Sequence, residues 1–214
     1  MKNRFLVTIE TLGSALEHLS KNDPDLGRVV SELGAPPLWA RKPGFPTLMH
    51  IILGQQVSLA SAKATYLKLS DAISPLTPQR FLTLSDSKLK EIGFSRQKTL
   101  YCRELASAIL EKRLDLKALH NRDDAAVHSD LTQIKGIGPW TAEIYLLMAL
   151  RRPDIWPSGD LALAIAAQSV KNLRTMPSHN QLERLGERWR PWRSVAARIL
   201  WHHYLSERNQ KLSM

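Results

Sequence analysis

The chain has 214 residues, of which 43% are hydrophobic and 23% charged, a composition that suits a globular protein with one good core or two small lobes. No apolar run approaches the ~20 residues that a helix needs to span a bilayer. The single cysteine, Cys102, excludes an internal disulfide and any zinc or iron–sulfur site built from several cysteines. The net charge of +10 favours a polyanionic partner, but charge alone does not separate DNA from RNA or anionic lipid.

Helix start and stop signals recur along the chain, and no segment shows the alternating pattern of a strand. Asp23 and Pro24 predict the start of a helix that Gly34 ends. An irregular connector rich in proline follows, and one long helix is then predicted over residues 46–69. Ser95 predicts the N-cap of a helix that extends to about residue 112.

The second half of the chain continues in the same way. A helix is predicted from Pro139 to about residue 150, and residues 153–159 are predicted to form a loop because two prolines and a glycine interrupt them. Another helix follows Asp160 directly. Ser178 begins a capping box, and Pro191 opens the last helix.

These signals predict an all-α fold of roughly ten helices. We expect residues 46–150 to form a central lobe. Segments 1–45 and 151–214 are expected to supply the helices of a second lobe.

The segment Leu131–Ala142, LTQIKGIGPWTA, is the most informative feature of the chain. Gly136 and Gly138 permit a tight turn and leave backbone N–H groups unobstructed. A helix that begins at Pro139 directs further N–H groups and the positive end of its dipole outward. An ordinary corner between two helices is the alternative, but the surrounding pattern favours a turn that binds phosphate. The predicted DNA-binding residues here are Lys135, Gly136, Gly138 and Thr141.

Asp160 directly precedes an apolar helix, so an N-cap is its simplest interpretation. The hairpin adds a second interpretation, because a carboxylate can serve a protein that binds DNA. Cleavage of a glycosidic bond develops oxocarbenium character, which a nearby carboxylate stabilises. Capping and catalysis are compatible, and we take Asp160 as the candidate catalytic residue.

Trp140 and Trp201 are candidates for an aromatic pocket that holds an extruded base. Trp140 begins the helix beside the hairpin, and Trp201 falls on the face of the last helix opposite to Trp192. Electron-rich rings suit a flipped base, especially one made cationic by alkylation. Packing in the core is an equally good interpretation of either ring.

Gln55 lies in the middle of the apolar stripe predicted for the long helix, where an amide is costly unless its hydrogen bonds are satisfied. It therefore has either a structural partner or a ligand, and we include it among the candidate base-pocket residues. Gln56 lies at the margin of the stripe, where it could project toward DNA.

From about Pro46 to Tyr204 the chain resembles the helix-hairpin-helix DNA glycosylases, and it is most similar to the 3-methyladenine DNA glycosylase II group of alkylbase enzymes. The segments that carry the resemblance occur in the family's order and spacing: Ile52–Ser58, Ile134–Ala142, Pro157–Asp160 and Arg188–Arg193.

The resemblance implies a two-lobed helical fold with a DNA-binding cleft between the lobes. It also implies that Asp160 is the catalytic carboxylate, that Trp140 and Trp201 line the base pocket, and that Gln56 fills the gap left by the flipped nucleotide. The backbone carbonyls of three hairpin residues would hold a monovalent cation, Na⁺ or K⁺: Thr132, Ile134 and Gly136.

The departures from the family pattern also have implications. Trp140 stands where bifunctional relatives have a Schiff-base lysine, which implies hydrolysis by water without strand cleavage. The iron–sulfur loop of some relatives is not possible with one cysteine, and we expect no N-terminal β domain. Ile144 and Gln56 stand where the larger bacterial enzyme has tyrosine and leucine, which leaves the substrate range open.

The resulting hypothesis is a monofunctional glycosylase that flips out alkylated purines such as 3-methyladenine or 7-methylguanine and hydrolyses the N-glycosidic bond in base excision repair. The alternatives are a non-catalytic protein that binds DNA structures and a glycosylase for deaminated or mismatched bases. We expect a monomer that acts on damaged double-stranded DNA, without a required cofactor and without membrane contact. Its expected location is the bacterial cytoplasm, associated with the nucleoid, or a eukaryotic nucleus.

Overall fold

A computed structural model describes residues 6–208, and these residues contain helices and no strand. The α-helices, in chain order, are α1 (Ile9–Asn22), α2 (Pro24–Leu33), α3 (Phe45–Leu53), α4 (Leu59–Ala72), α5 (Pro78–Leu82), α6 (Asp86–Ile92), α7 (Arg96–Leu110), α8 (Asp124–Thr132), α9 (Pro139–Ile144), α10 (Leu161–Val170), α11 (His179–Glu187) and α12 (Arg193–Glu207). A 3₁₀ turn covers Ala118–Asn121, and a π-helical turn, Tyr145–Ala149, continues α9.

The chain divides into two compact units. One unit is Arg41–Tyr145, and the other combines the described parts of Met1–Ala40 and Leu146–Met214. We call them the hairpin unit and the terminal unit. The sequence predicted that the central lobe begins at residue 46 and ends at residue 150. Both observed boundaries lie five residues earlier, at residues 41 and 145.

The predicted long helix over residues 46–69 is wrong, because it is two helices. Helix α3 ends at Leu53, Gln56 has a positive φ of 56°, and Ser58 caps α4 by accepting the N–H of Ser61 at 3.2 Å. The apolar periodicity of the sequence continues across this break, but it does not correspond to one buried helix face, since Leu59 is 50% exposed.

Pro191 does not open the last helix, because α12 begins at Arg193 with Trp192 as its N-cap. Other local helix signals are confirmed. Asp23 caps α2 and Gly34 ends it, Ser95 caps α7, and Ser178 forms a capping box at the start of α11. These features depend on hydrogen bonds within one turn of helix, which is why the sequence alone reveals them.

The core of the terminal unit contains an arginine, Arg198, whose exposure is 0%. Its guanidinium donates hydrogen bonds to three backbone carbonyls, those of Leu38, Leu147 and Ser194, each at 2.9 Å. Burial lowers the pKa of Arg198 to about 10, so it remains charged at neutral pH. Arg198 therefore joins α12 to the connector after α2 and to the π-helical turn.

A second polar cluster joins α2 to α10 in the same unit. The carboxylate of Asp23 accepts hydrogen bonds from Lys171 Nζ at 2.9 Å and from Trp189 Nε1 at 2.8 Å. Burial by itself raises the pKa of Asp23, but the hydrogen bonds from Lys171 and Trp189 outweigh it and lower the pKa below its ordinary value. Asp23 is therefore ionised in the folded protein at neutral pH.

We expect Asp23→Asn to lower the free energy of unfolding at pH 7 by about 2 kcal/mol, because it removes charge-assisted hydrogen bonds from a buried position. The pKa of Asp23 is lowered by folding, so this stabilisation is present at neutral pH and disappears as the pH falls below about 4. Urea denaturation of both proteins should show the difference shrinking below that pH.

Glu91→Gln is the control, because Glu91 pairs with Lys88 at the surface and its side chain is 69% exposed. Its effect should stay below about 0.5 kcal/mol. A deficit of Asp23→Asn that is the same at pH 7 and pH 3 would contradict the role given to the Asp23 charge.

Candidate functional site

The predicted hairpin lies between α8 and α9 in the hairpin unit. Its turn is closed by a hydrogen bond from the N–H of Ile137 to the carbonyl of Ile134 at 2.9 Å. Gly136 has a φ of 96°, and a Cβ atom at this position would lie 2.1 Å from Cγ of Tyr101. Gly136 is therefore required both by its backbone conformation and by the aromatic ring packed against it.

Gly138 has a different role in the hairpin. It is the N-cap residue of α9, it makes no side-chain capping bond, and a Cβ atom there would have nothing within 4 Å. Gly138 and Lys135 are both exposed. The first turn of α9 therefore begins at an open surface next to a lysine, an arrangement that suits an anion.

Gln55 stabilises this hairpin through hydrogen bonds of its side chain. Its side-chain NH₂ group donates hydrogen bonds to the carbonyl of Gly136 at 2.8 Å and to the hydroxyl of Thr141 at 3.0 Å. This is the structural partner that the sequence left open. The prediction that Gln55 belongs to a base pocket gains no support from these contacts.

Thr141 is a buried residue of the hairpin. Its residue exposure is 2%, and its hydroxyl already accepts the hydrogen bond from Gln55. The Thr141 side chain therefore stabilises the hairpin, and the DNA contact expected of Thr141 gains no support from it and stays a prediction.

A groove of about 680 Å³ runs along the hairpin within this unit. The charged side chains that line it are Lys98 and Lys135, and none of its lining residues is acidic. Lys98 donates a hydrogen bond to the carbonyl of Leu53 at 2.6 Å, and burial lowers its pKa. Gln56 also lines the groove, is exposed, and lies in the turn between α3 and α4. The groove therefore presents a positive and polar surface.

Asp160 lies in the terminal unit and caps α10, as the sequence predicted. Its Oδ1 atom accepts the backbone N–H of Leu163 at 2.8 Å. The same oxygen accepts the indole N–H of Trp201 at 3.1 Å. Two donors from two helices therefore fix one carboxylate oxygen of the candidate catalytic residue.

Trp201 is only 5% exposed and packs edge-on against Trp39, with ring centroids 6.5 Å apart and an interplanar angle of 63°. Trp201 donates a hydrogen bond to Asp160, whereas stacking of its ring on an extruded base stays a prediction. Sequence reasoning missed Trp39. The only signal was an aromatic residue after two consecutive prolines, which by itself indicates nothing about a site.

Trp140 is half-buried in the first turn of α9, so it belongs to the hairpin unit. The predicted residues thus fall into two groups. The hairpin unit contains Gln55, Gln56, Lys135, Gly136, Gly138, Trp140 and Thr141, whereas the terminal unit contains Asp160 and Trp201.

His50 is a packing residue. Its ring stacks on Tyr66 with centroids 4.4 Å apart, and Arg41 lies 2.7 Å from its Nδ1 atom. Burial and the charge of Arg41 lower the pKa of His50 to about 4, so it is neutral at physiological pH.

The three carbonyls expected to hold a cation are oxygen donors of the kind that Na⁺ and K⁺ accept. Two of them already accept a hydrogen bond: that of Ile134 from Ile137, and that of Gly136 from Gln55. A carbonyl oxygen has two lone pairs, so the donor set with Thr132 remains compatible with a cation. Within residues 6–208 no cluster of His, Cys, Asp or Glu could hold a metal ion.

No helix in the described part of the chain has the length and apolar character needed to cross a membrane. Residues 6–208 form helices without a strand, and they combine a glycine hairpin beside a positive groove with a helix-capping carboxylate. These features indicate a helix-hairpin-helix DNA-binding protein. Over residues 49–191 the chain matches the HhH-GPD superfamily of base excision DNA repair proteins. The chain belongs to this superfamily, as the sequence motifs indicated.

Several relatives are similar over most of their length. The putative DNA-3-methyladenine glycosylase YfjP of Bacillus subtilis is 27% identical over 89% of this chain and 68% of its own. The alkylbase DNA glycosidase-like protein mag2 of Schizosaccharomyces pombe is 28% identical over 87% of this chain and 91% of its own. Among solved structures, Schizosaccharomyces pombe 3-methyladenine DNA glycosylase (Mag1) in complex with abasic DNA has a TM-score of 0.83 at 24% identity, with coverage of 91% and 97%.

We expect Gly138→Asp to weaken the binding of duplex DNA by roughly tenfold or more, because a carboxylate at the start of α9 repels phosphate. The loss should be similar for every DNA sequence, since phosphate contacts carry no sequence information. Fluorescence anisotropy at one fixed salt concentration measures the effect. Aspartate is a favourable N-cap, so the variant should be at least as stable as the wild type.

Gly13→Asp is the matched control, because a Cβ atom at Gly13 in α1 also has nothing within 4 Å and the change in charge is the same. Equal losses of affinity in the two variants would show that only net charge matters. That result would contradict the prediction that the hairpin contacts DNA.

Proposed function

We propose that the protein is a monofunctional DNA glycosylase that extrudes alkylated purines from duplex DNA and hydrolyses their N-glycosidic bonds. The observation that carries the proposal is the Asp160 carboxylate, held on one oxygen by the N–H groups of Leu163 and Trp201. Membership of a base excision repair superfamily supports it, as do relatives named 3-methyladenine glycosylases.

The chemistry requires little from the protein beyond charge and position. A purine alkylated at N3 or N7 is cationic, so it is already a good leaving group and needs no dedicated general acid. As the bond to the base breaks, positive charge develops on the deoxyribose, and the carboxylate of Asp160 stabilises that charge or orients the attacking water. Trp140 replaces the lysine of bifunctional enzymes, which supports hydrolysis without strand cleavage.

Binding of the damaged strand is assigned to the hairpin unit. Backbone N–H groups around Gly136 and Gly138 hold phosphate, with Lys135 as a nearby cation. A monovalent cation on the carbonyls of Thr132, Ile134 and Gly136 would add positive charge to the same turn. Gln56, exposed at the turn between α3 and α4, fills the gap that the extruded nucleotide leaves. We propose that a monomer performs these steps.

The aromatic residues supply recognition of the extruded base. Trp140 and Trp201 offer electron-rich rings, which attract a cationic base more strongly than a neutral one. The preference for alkylated purines follows from this attraction together with the weakness of the bond to be broken.

A panel of damaged duplexes tests the proposal. The protein is incubated with DNA that contains 7-methylguanine, 3-methyladenine, hypoxanthine, uracil or a mismatch, and the released bases are separated by chromatography. We expect release of the methylated purines, and strand breaks only after alkali treatment. Release of deaminated bases alone would favour the mismatch or deamination alternative, and tight binding without any release would favour a non-catalytic DNA-binding protein.

Asp160→Asn should reduce the single-turnover rate of base release by about 100-fold or more, since it removes the charge that stabilises the transition state. The amide oxygen can still accept the N–H groups of Leu163 and Trp201, so the fold should be retained. Base release and thermal unfolding are measured on the same preparation.

Ser178→Ala is the control, because it removes the N-cap of α11 in the same unit without touching the carboxylate. It should cost about 1 kcal/mol of stability and leave the rate of base release unchanged. A near-normal rate for Asp160→Asn would overturn the assignment of Asp160.

A further inference from the structure

Trp39 has a backbone conformation that bulky residues seldom adopt. Its φ is 44°, in the left-handed region, and its side chain is only 6% exposed. An aromatic residue at positive φ is a true outlier, and such strain persists only where the surroundings impose it. One neighbour of the buried Trp39 side chain is the ring of Trp201, whose N–H donates to Asp160.

The connector that contains Trp39 is fixed to α12 by the buried guanidinium of Arg198. The Nε atom of Arg198 donates to the carbonyl of Leu38, the residue directly before Trp39. Arg198 and Trp201 are three residues apart in α12, so their side chains lie on neighbouring positions of one helix face. One turn of α12 therefore supplies both the hydrogen bond from Arg198 to Leu38 and the ring of Trp201 that packs against Trp39.

We propose that Trp39 is a positioning residue for base release: it holds the ring of Trp201 in the orientation that places the indole N–H on the Asp160 carboxylate. This inference rests on the proposed function. It concerns a residue that acts through Trp201 and does not itself touch the substrate.

A hydrogen bond depends steeply on the direction of its donor. The indole N–H of Trp201 meets Asp160 Oδ1 at 3.1 Å only while the plane of the ring is fixed. The edge-on contact with Trp39 limits rotation of that ring. Without it the carboxylate keeps the N–H of Leu163 as a donor and loses the indole N–H of Trp201.

The test compares Trp39→Ala, Trp39→Phe and Trp156→Ala with the wild type. Trp156 is the matched control, because it forms the other edge-on tryptophan pair of the terminal unit, with Trp189 at 5.1 Å, and its N–H donates to the carbonyl of Leu182. It is similarly buried, at 4% exposure. Removal of either ring should therefore disturb packing to a comparable degree.

Two quantities are measured for each variant on duplex DNA with a single 7-methylguanine: the single-turnover rate of base release and the affinity for a duplex with an abasic-site analogue. Trp39→Ala should lower the rate by up to about 100-fold with nearly unchanged affinity, because misplacement of a catalytic group affects the chemical step. Trp39→Phe, which keeps an aromatic edge, should restore most of the rate. Trp156→Ala should retain it.

The ¹H–¹⁵N resonance of the Trp201 indole, assigned from the spectrum of Trp201→Phe, supplies a readout that is independent of activity. It should shift in Trp39→Ala and stay in place in Trp156→Ala. An unmoved resonance, or equal rate losses in Trp39→Ala and Trp156→Ala, would overturn the positioning role while leaving the glycosylase proposal intact. A wild-type protein that releases no base from any duplex would overturn the proposed function, and the catalytic role of Trp39 with it.

Discussion

The double hydrogen bond to Oδ1 of Asp160 is the interaction on which the proposed chemistry depends. One donor, the N–H of Leu163, comes from the first turn of α10, and the other, the indole of Trp201, comes from α12. The first donor is supplied by any helix that begins with aspartate. The second donor is present only because α12 packs against α10. The position of the carboxylate therefore depends on how the helices of the terminal unit pack together.

The hairpin follows a different physical principle. The proposed phosphate-binding surface consists of backbone N–H groups. Side chains from elsewhere in the unit support the turn, because Gln55 hydrogen-bonds to the carbonyl of Gly136 and Tyr101 packs against this glycine, and Thr141 is buried. These contacts stabilise the turn, whereas the proposed affinity for an anion comes from the open start of α9. The proposed phosphate site therefore needs only one lysine in the turn.

The sequence revealed what is decided locally and missed what is decided across the chain. The caps at Asp23, Asp160 and Ser178 are set within one helical turn, and all three are confirmed. The break between α3 and α4 was missed because apolar periodicity continued across it. The sequence left open whether Gln55 binds a structural partner or a ligand, because its partner, Gly136, lies 81 residues away. Trp39 could not be recognised, since its relation to Asp160 passes through a residue of the last helix.

The terminal unit carries two features that oppose its own stability, and both are neighbours of Trp201: Trp39 packs against its ring, and Arg198 precedes it by three residues in α12. Strain of the kind seen at Trp39 costs about 1–3 kcal/mol, which is a large share of the roughly 5–15 kcal/mol that stabilises a typical domain. The buried charge of Arg198 adds a desolvation cost that three carbonyls must offset, and a lysine could not match their separate directions with its single ammonium group. A fold selected only for stability would relax both features. Their position around Trp201 is understandable if the site must be rigid before DNA arrives, because a carboxylate stabilises a developing charge best when it need not reorient.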